Sequence, residues 1–140
     1  MSMRTTRSGF TIVELLVVII IVSILAALAI PRFVRARERA YYAAMIHDLD
    51  ILQNMEEIYY HDSGAFLYKT AGTITDAGND MDLNMHASRG VTITLGAHPH
   101  GWAATATHLA LAGGQCNLFW GDDGTVGVAN TAGRIECNND

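Results

Sequence analysis

FTIVELLVVIIIVSILAALAI, Phe10 to Ile30, decides how this chain must be built. Its 21 residues hold one charge, Glu14, and two hydroxyls, Thr11 and Ser23. As a helix the run spans about 31 Å, close to the roughly 30 Å hydrocarbon core of a bilayer. Ile, Leu and Val fall on every side, with no polar stripe at 3.6-residue spacing, so it cannot be the surface helix of a water-soluble domain. Some apolar solvent must surround it.

Working outward, the nine residues before the run carry Arg4 and Arg7 and no acid, the pattern of a segment that stays cytoplasmic. A cleaved secretory signal has the same basic start. Here, however, the apolar stretch exceeds the usual 7 to 15 residues, and Ile30-Pro31-Arg32-Phe33 follows it instead of an Ala-x-Ala-like site. Arg32, Arg35, Arg37 and Arg39 lie on the far side, where a bare positive-charge count would place cytoplasm. The cysteines argue for the opposite topology. Cys116 and Cys137 have no zinc spacing and no Cys-x-x-Cys motif. If bridged, they close a loop whose constraint contributes about 3 kcal/mol, and such a bridge persists only outside the cytosol. Two separate buried thiols are the other reading.

The whole chain has 140 residues, 50% apolar and only 16% charged, with a net charge of −5. This excludes a disordered protein and a basic nucleic-acid binder. Outside the leader there are 7 basic residues against 14 acidic ones, so strong nucleic-acid binding by the head alone is disfavoured.

Arg7-Ser8-Gly9-Phe10-Thr11-Ile12-Val13-Glu14-Leu15-Leu16 joins a short basic leader and a glycine to Phe-Thr-x-x-Glu at the mouth of a wholly apolar helix. An acid inside a span costs on the order of 2.5 to 3.5 kcal/mol at the centre and less near the interface, so Glu14 calls for a reason. The stretch closely resembles the class III leader of type IV pilins and type II secretion pseudopilins. That resemblance implies cleavage between Gly9 and Phe10 by a membrane-embedded prepilin peptidase and N-methylation of Phe10. It also implies an assembly role for Glu14, which would meet the N-terminal amine of a neighbouring subunit. Pairing suits both groups, because a carboxylate and an ammonium buried among aliphatic side chains are each costly alone. Pro31 stands where pilins commonly kink or melt the helix, and loss of one backbone donor there predicts a bend or a locally stretched segment.

From Arg32 to about Tyr60 the pattern turns amphipathic. Tyr41, Met45, Leu49, Leu52, Met55 and Tyr59 form the packing stripe, and His47, Asp48, Gln53, Asn54, Glu56 and Glu57 lie mostly off it. Phe10 to Tyr60 then reads as one helix about 76 Å long, stopped by Asp62-Ser63-Gly64 with Gly64 as a left-handed cap. Residues 65–90 read as a long loop with at most one short strand. Val91–Leu95, Gly101–Ala110, Asn117–Trp120 and Thr125–Val128 read as strands, the last two flanking a Gly121-Asp-Asp-Gly124 turn. The expected fold is α+β and pilin-like: a long N-terminal helix, membrane-spanning then amphipathic, packed on a small antiparallel sheet of three or four strands. Its parts are a leader (1–9), a filament-core helix (10–30), the amphipathic half (31–62) and a head (63–140), whose tail the Cys116–Cys137 bridge would staple to the third of those strands.

Other chemistry is thinly marked. His98-Pro99-His100 and His108 could converge on a metal but read equally as a hairpin turn. Asp122-Asp123-Gly124 and Asp76 to Asp82 offer oxygen ligands for calcium without the twelve-residue EF-hand pattern. No catalytic motif occurs, so neither an enzyme nor a resident cofactor or metal is expected. The resemblance implies self-polymerisation, with prepilin peptidase, an inner-membrane assembly platform and its cytoplasmic ATPase as partners, and membrane lipid around the helix beforehand. It implies a single-pass inner-membrane precursor that becomes a surface pilus or a periplasmic pseudopilus. Major pilin, minor pilin and pseudopilin stay open, as does a membrane-anchored adhesive module, and Met3 would serve as a start as well as Met1.

Overall fold

The computed structural model describes residues 9–64, 67–78, 80–122 and 124–138, so the leader ahead of Gly9 and Asp123 of the acidic turn lie outside the described residues. The chain divides into two compact units, one through Arg37 and one from Glu38 onward. A single helix, α1 (Ile12–Asp62, 51 residues), provides all the regular structure of the first and the opening of the second.

In the first unit α1 is long and apolar enough to cross a membrane, and its large side chains, from Ile12 to Val34, are exposed. The helix passes Pro31 without a break, so the stretched segment expected there does not interrupt it. Proline removes one amide donor, and the hydrogen bonds of the neighbouring turns hold the helix on either side.

In the second unit five antiparallel strands follow: β1 (Gly72–Thr75), β2 (Val91–His98), β3 (Gly101–His108), β4 (Gln115–Trp120) and β5 (Glu136–Cys137). They lie in sequence order in one sheet, each paired with the next, as consecutive elements commonly are; the β2–β3 and β3–β4 connections are short, and the other two are 15 residues each. The period-2 alternation sends Val91, Ile93 and Leu95 of β2, Trp102, Ala104 and Ala106 of β3, and Cys116 and Leu118 of β4 to one face. There they enclose one core with Met45, Leu49 and Leu52 of α1. The small side chains of β3, Ala104 and Ala106, are 1% and 0% exposed and lie in the same core. Ser63 N–H bonds the Tyr59 carbonyl, and Gly64 takes φ 67° beyond the helix end, the left-handed cap its sequence predicts.

Three expectations need correction. The sheet has five strands, not three or four, because β1 and the two-residue β5 are too short to leave a periodic signal. Thr125–Val128 is not a strand: Val126 and Ala129 exchange both backbone hydrogen bonds with each other in a tight loop, and β4 pairs with β5 instead. That loop lays Ala129 and Val126 on Ala103 and Phe119, covering part of the sheet's other face. Asp48 and Glu56, placed off the packing stripe by their charge, are buried, at 2% and 0% exposure. Both sit on the packing face, since 45, 48, 49, 52 and 56 follow helical spacing.

Candidate functional site

The residues that distinguish this chain cluster at the start of α1. Gly9 and Phe10 precede the helix and are exposed, Phe10 at 83%. Thr11 is the N-cap. Its N–H and its hydroxyl each donate to Glu14 Oε2 at 3.0 Å, and Glu14 N–H donates back to Thr11 Oγ1 at 3.2 Å. This is a capping box, the reciprocal pairing by which Thr-x-x-Glu satisfies amides that a helix start leaves without partners. The spacing was readable in the sequence, where the apolar run drew the attention. Glu14 therefore has an intrachain function as well as its place in the Phe-Thr-x-x-Glu motif, and its carboxylate is held at the N-terminal, positive end of the helix dipole. Behind it follow 16 residues, from Leu15 to Ile30, with no acid or base.

The remaining sites lie in the second unit. Cys116 of β4 and Cys137 of β5 are directly paired residues with Cα atoms 4.0 Å apart, and their sulfurs are bonded. The three histidine rings go to three partners: His98 stacks on Phe119 at 4.5 Å, His108 on Tyr41 at 4.1 Å, and His100 Nδ1 meets Asp122. Pro99-His100 is the two-residue turn between β2 and β3, with His100 at φ 54°. No group of three or more His, Cys, Asp or Glu side chains among the described residues is arranged to hold a metal ion. Within Asp76 to Asp82, Lys69 Nζ lies 2.7 Å from Asp80 and 2.7 Å from Asp82, a cation already set between the carboxylates, and Asp76 accepts the Gly90 amide.

Electrostatics in this unit converge on the end of the helix. Glu56 Oε2 accepts the Lys69 amide at 2.8 Å, while its buried Oε1 has no partner among the described residues. Burial raises the carboxyl to about 7, outweighing the Lys69 amide and the Lys69 charge. Next to it, Glu57 accepts the Tyr68 hydroxyl at 3.1 Å. Burial and then that bond push the phenol to about 12. Lys69 is raised although burial opposes it, because Asp80 and Asp82 hydrogen-bond the ammonium. Two turns earlier on the same face, Asp48 takes both the amide and the hydroxyl of Ser88 at 2.7 Å. These acids tie the long 67–90 connection to α1. Their signal was there in spacing and was masked by charge.

A Gly-Phe-Thr-x-x-Glu sequence opens an apolar helix that is long enough to cross a membrane, and a disulfide-closed antiparallel sheet domain follows it. Residues 4–30 match the prokaryotic N-terminal methylation motif. The chain is 37% identical to the type IV wide pilus major component PilA4 of Thermus thermophilus over 73 residues, 52% of this chain and 55% of that protein. It is 35% identical to type II secretion system core protein G of Aeromonas hydrophila over 63 residues, covering 45% and 44% of the two chains. With the same protein of Escherichia coli K12 it shares 35% over 63 residues, 44% and 43% of each. The chain spans about half the length of the curated relatives it matches. No solved structure matches it significantly. The motif and these relatives make the chain similar to type IV pilins and to type II secretion pseudopilins over about half of its length.

Proposed function

We propose that this chain is the structural subunit of a type IV pilus. Phe10–Ile30 holds the precursor as a single-pass inner-membrane protein. Prepilin peptidase cuts it after Gly9, the new Phe10 amine is methylated, and an assembly platform driven by a cytoplasmic ATPase extracts it into a surface filament of identical subunits. The observation that carries this reading is the first unit of α1: a helix long enough for a bilayer, its large apolar side chains exposed and a lone carboxylate at its entrance. Such a surface is stable in lipid or packed against copies of itself. Exchange of one for the other has no hydrophobic drive, so tight packing, neutralisation of Glu14 by a neighbour's amine and the external motor supply the work. Catalysis is not part of this reading, and neither is a resident cofactor or metal.

A second reading, a pseudopilin of a type II secretion system, is favoured by the relatives of that kind. Filaments sheared from cells separate the two. In the pilus reading their dominant species begins at methylated Phe10 and is two hydrogens lighter than the reduced chain. A processed chain confined to membranes and absent from sheared fibres replaces it with a pseudopilin or a minor subunit. Glu14→Ala should leave cleavage intact and abolish incorporation, and a variant that still enters filaments would sink the assembly role of Glu14.

A further inference from the structure

The first unit of α1 ends in basic residues whose place the assembly reading does not use. Arg32 and Arg35 are three positions apart, hence on one side of the helix, and follow directly after Ile30. Both are exposed. The ion pairs among the described residues use Lys69, His100 and Arg134, and none uses Arg32 or Arg35. Arg37 behaves differently, lying over the Phe33 ring at 6.0 Å. On the same unit Leu25, Leu28, Ala29 and Phe33 line a shallow groove open along the helix surface, and Arg32 is its fifth lining residue. From Leu25 to Phe33 the groove follows about 12 Å of helix axis. It is an apolar track along the end of the span, with a guanidinium where the span stops.

We propose that this surface binds one anionic phospholipid, with the phosphate on Arg32 and Arg35 and an acyl chain along Leu25, Leu28, Ala29 and Phe33. The inference rests on the reading of Phe10–Ile30 as a membrane helix. With that helix in a bilayer, residues 32 and 35 stand at headgroup depth, just past the hydrocarbon. A guanidinium presents a planar fork that matches phosphate oxygens. An anionic headgroup is preferred to a zwitterionic one because no ammonium offsets its charge, and each arginine near the surface adds to the attraction. Charge complementarity selects the headgroup and the groove selects the chain, so a free phosphate satisfies half the site. Arginines after a span resist translocation to the side where a disulfide persists, and a lipid ligand there gives them a function.

The test uses the full chain in dodecyl maltoside micelles, titrated with phosphatidylglycerol or phosphatidylcholine, with bound lipids counted by native mass spectrometry. Wild type should hold one phosphatidylglycerol in preference to phosphatidylcholine. R32Q/R35Q should lose about thirtyfold in phosphatidylglycerol affinity, roughly fivefold per arginine, with phosphatidylcholine affinity unchanged. The leader arginines are common to both chains and cancel in the comparison. Equal phosphatidylglycerol affinity in the two chains overturns the site. Flotation with pure phosphatidylcholine vesicles keeps the two readings apart: a chain that floats but shows no arginine-dependent preference loses only the lipid site, and one that does not float loses the membrane helix on which the site rests.

Discussion

Glu56 occupies a helix position that its neighbours would give to a leucine. It is fully buried, its Oε1 has no partner among the described residues, and the charged groups acting on it are Lys69, Asp80 and Glu57. Because burial pushes its carboxyl up to about 7 from the ordinary 4.5, the folded protein keeps a proton that the unfolded chain has released. The linkage sign is the reverse of the usual carboxylate. Stability from this group is full below 4.5, falls as pH rises towards 7, and is level above. The total change is on the order of 3 kcal/mol. Asp80, held low by Lys69 and two loop amides although burial opposes it, acts in the opposite sense under acid. Glu56→Gln, which resembles the protonated acid, should remove the loss between pH 5 and 7.5 while leaving the acid limb in place. Denaturant titrations of both chains at the two pH values would show it, and an unchanged slope in the variant would assign the pH dependence elsewhere. The sequence contained this position in its spacing. Acidity sent it to solvent on paper, and only the packing of the 67–90 connection against the helix brings it inside.

At the scale of elements, β4 and the loop after it show how a short polar group organises backbone. Asn117 is 1% exposed on the sheet face away from α1. Its amide donates to Thr105 Oγ1 at 2.7 Å, and its Oδ1 accepts the Val128 amide at 3.2 Å. Gly127, at φ 57°, passes so close that a Cβ there would sit 2.5 Å from Asn117 Oδ1. This is why Thr125–Val128 folds over the sheet instead of extending it: its backbone is used by a side chain and by its own Val126–Ala129 pair. Asn117→Ala should cost roughly 1 to 2 kcal/mol by leaving the half-buried Thr105 hydroxyl and Val128 amide unpaired, and amide exchange at Val128 should accelerate well beyond that of β2. Retained protection at Val128 would show that the loop is held without Asn117. β3 and most of β2 and β4 were legible from alternation and turn residues, with β2 running on to His98 instead of stopping at Leu95 and β3 ending at His108 instead of Ala110. β1 and β5 were not, since two to four residues carry no period and exist because a neighbouring strand edge accepts them.

At the scale of the whole molecule, one helix contributes to both units: its first part leaves its large apolar side chains exposed, and its second part buries Met45, Leu49 and Leu52 in the core of the sheet domain. The second unit holds its C-terminal end through β5, two residues long, and through the bond from Cys137 to Cys116, 21 positions away. Closing a loop of that size constrains the unfolded chain by about 3 kcal/mol. C116A/C137A should therefore lower the melting temperature of the second unit by roughly 10 to 20 °C. Thermal melts of the wild type with and without reductant provide the same comparison without mutation. A melting temperature that is the same in all three samples would mean that β5 is held by its packing alone.

By itself the sequence determined the helix from near Phe10 to Asp62, its apolar first half, the processing motif around Gly9, Phe10 and Glu14, the amphipathic stripe and the two long strands. Each of these depends on periodicity or on neighbours within four residues, which the order of amino acids states directly. Tertiary structure alone decided that Asp48 and Glu56 face inward, that Lys69 lies between Asp80 and Asp82, that 124–130 caps the sheet, and that β1 and β5 exist. Those features depend on contacts between residues far apart in the chain, where desolvation and hydrogen-bond completion override local preference.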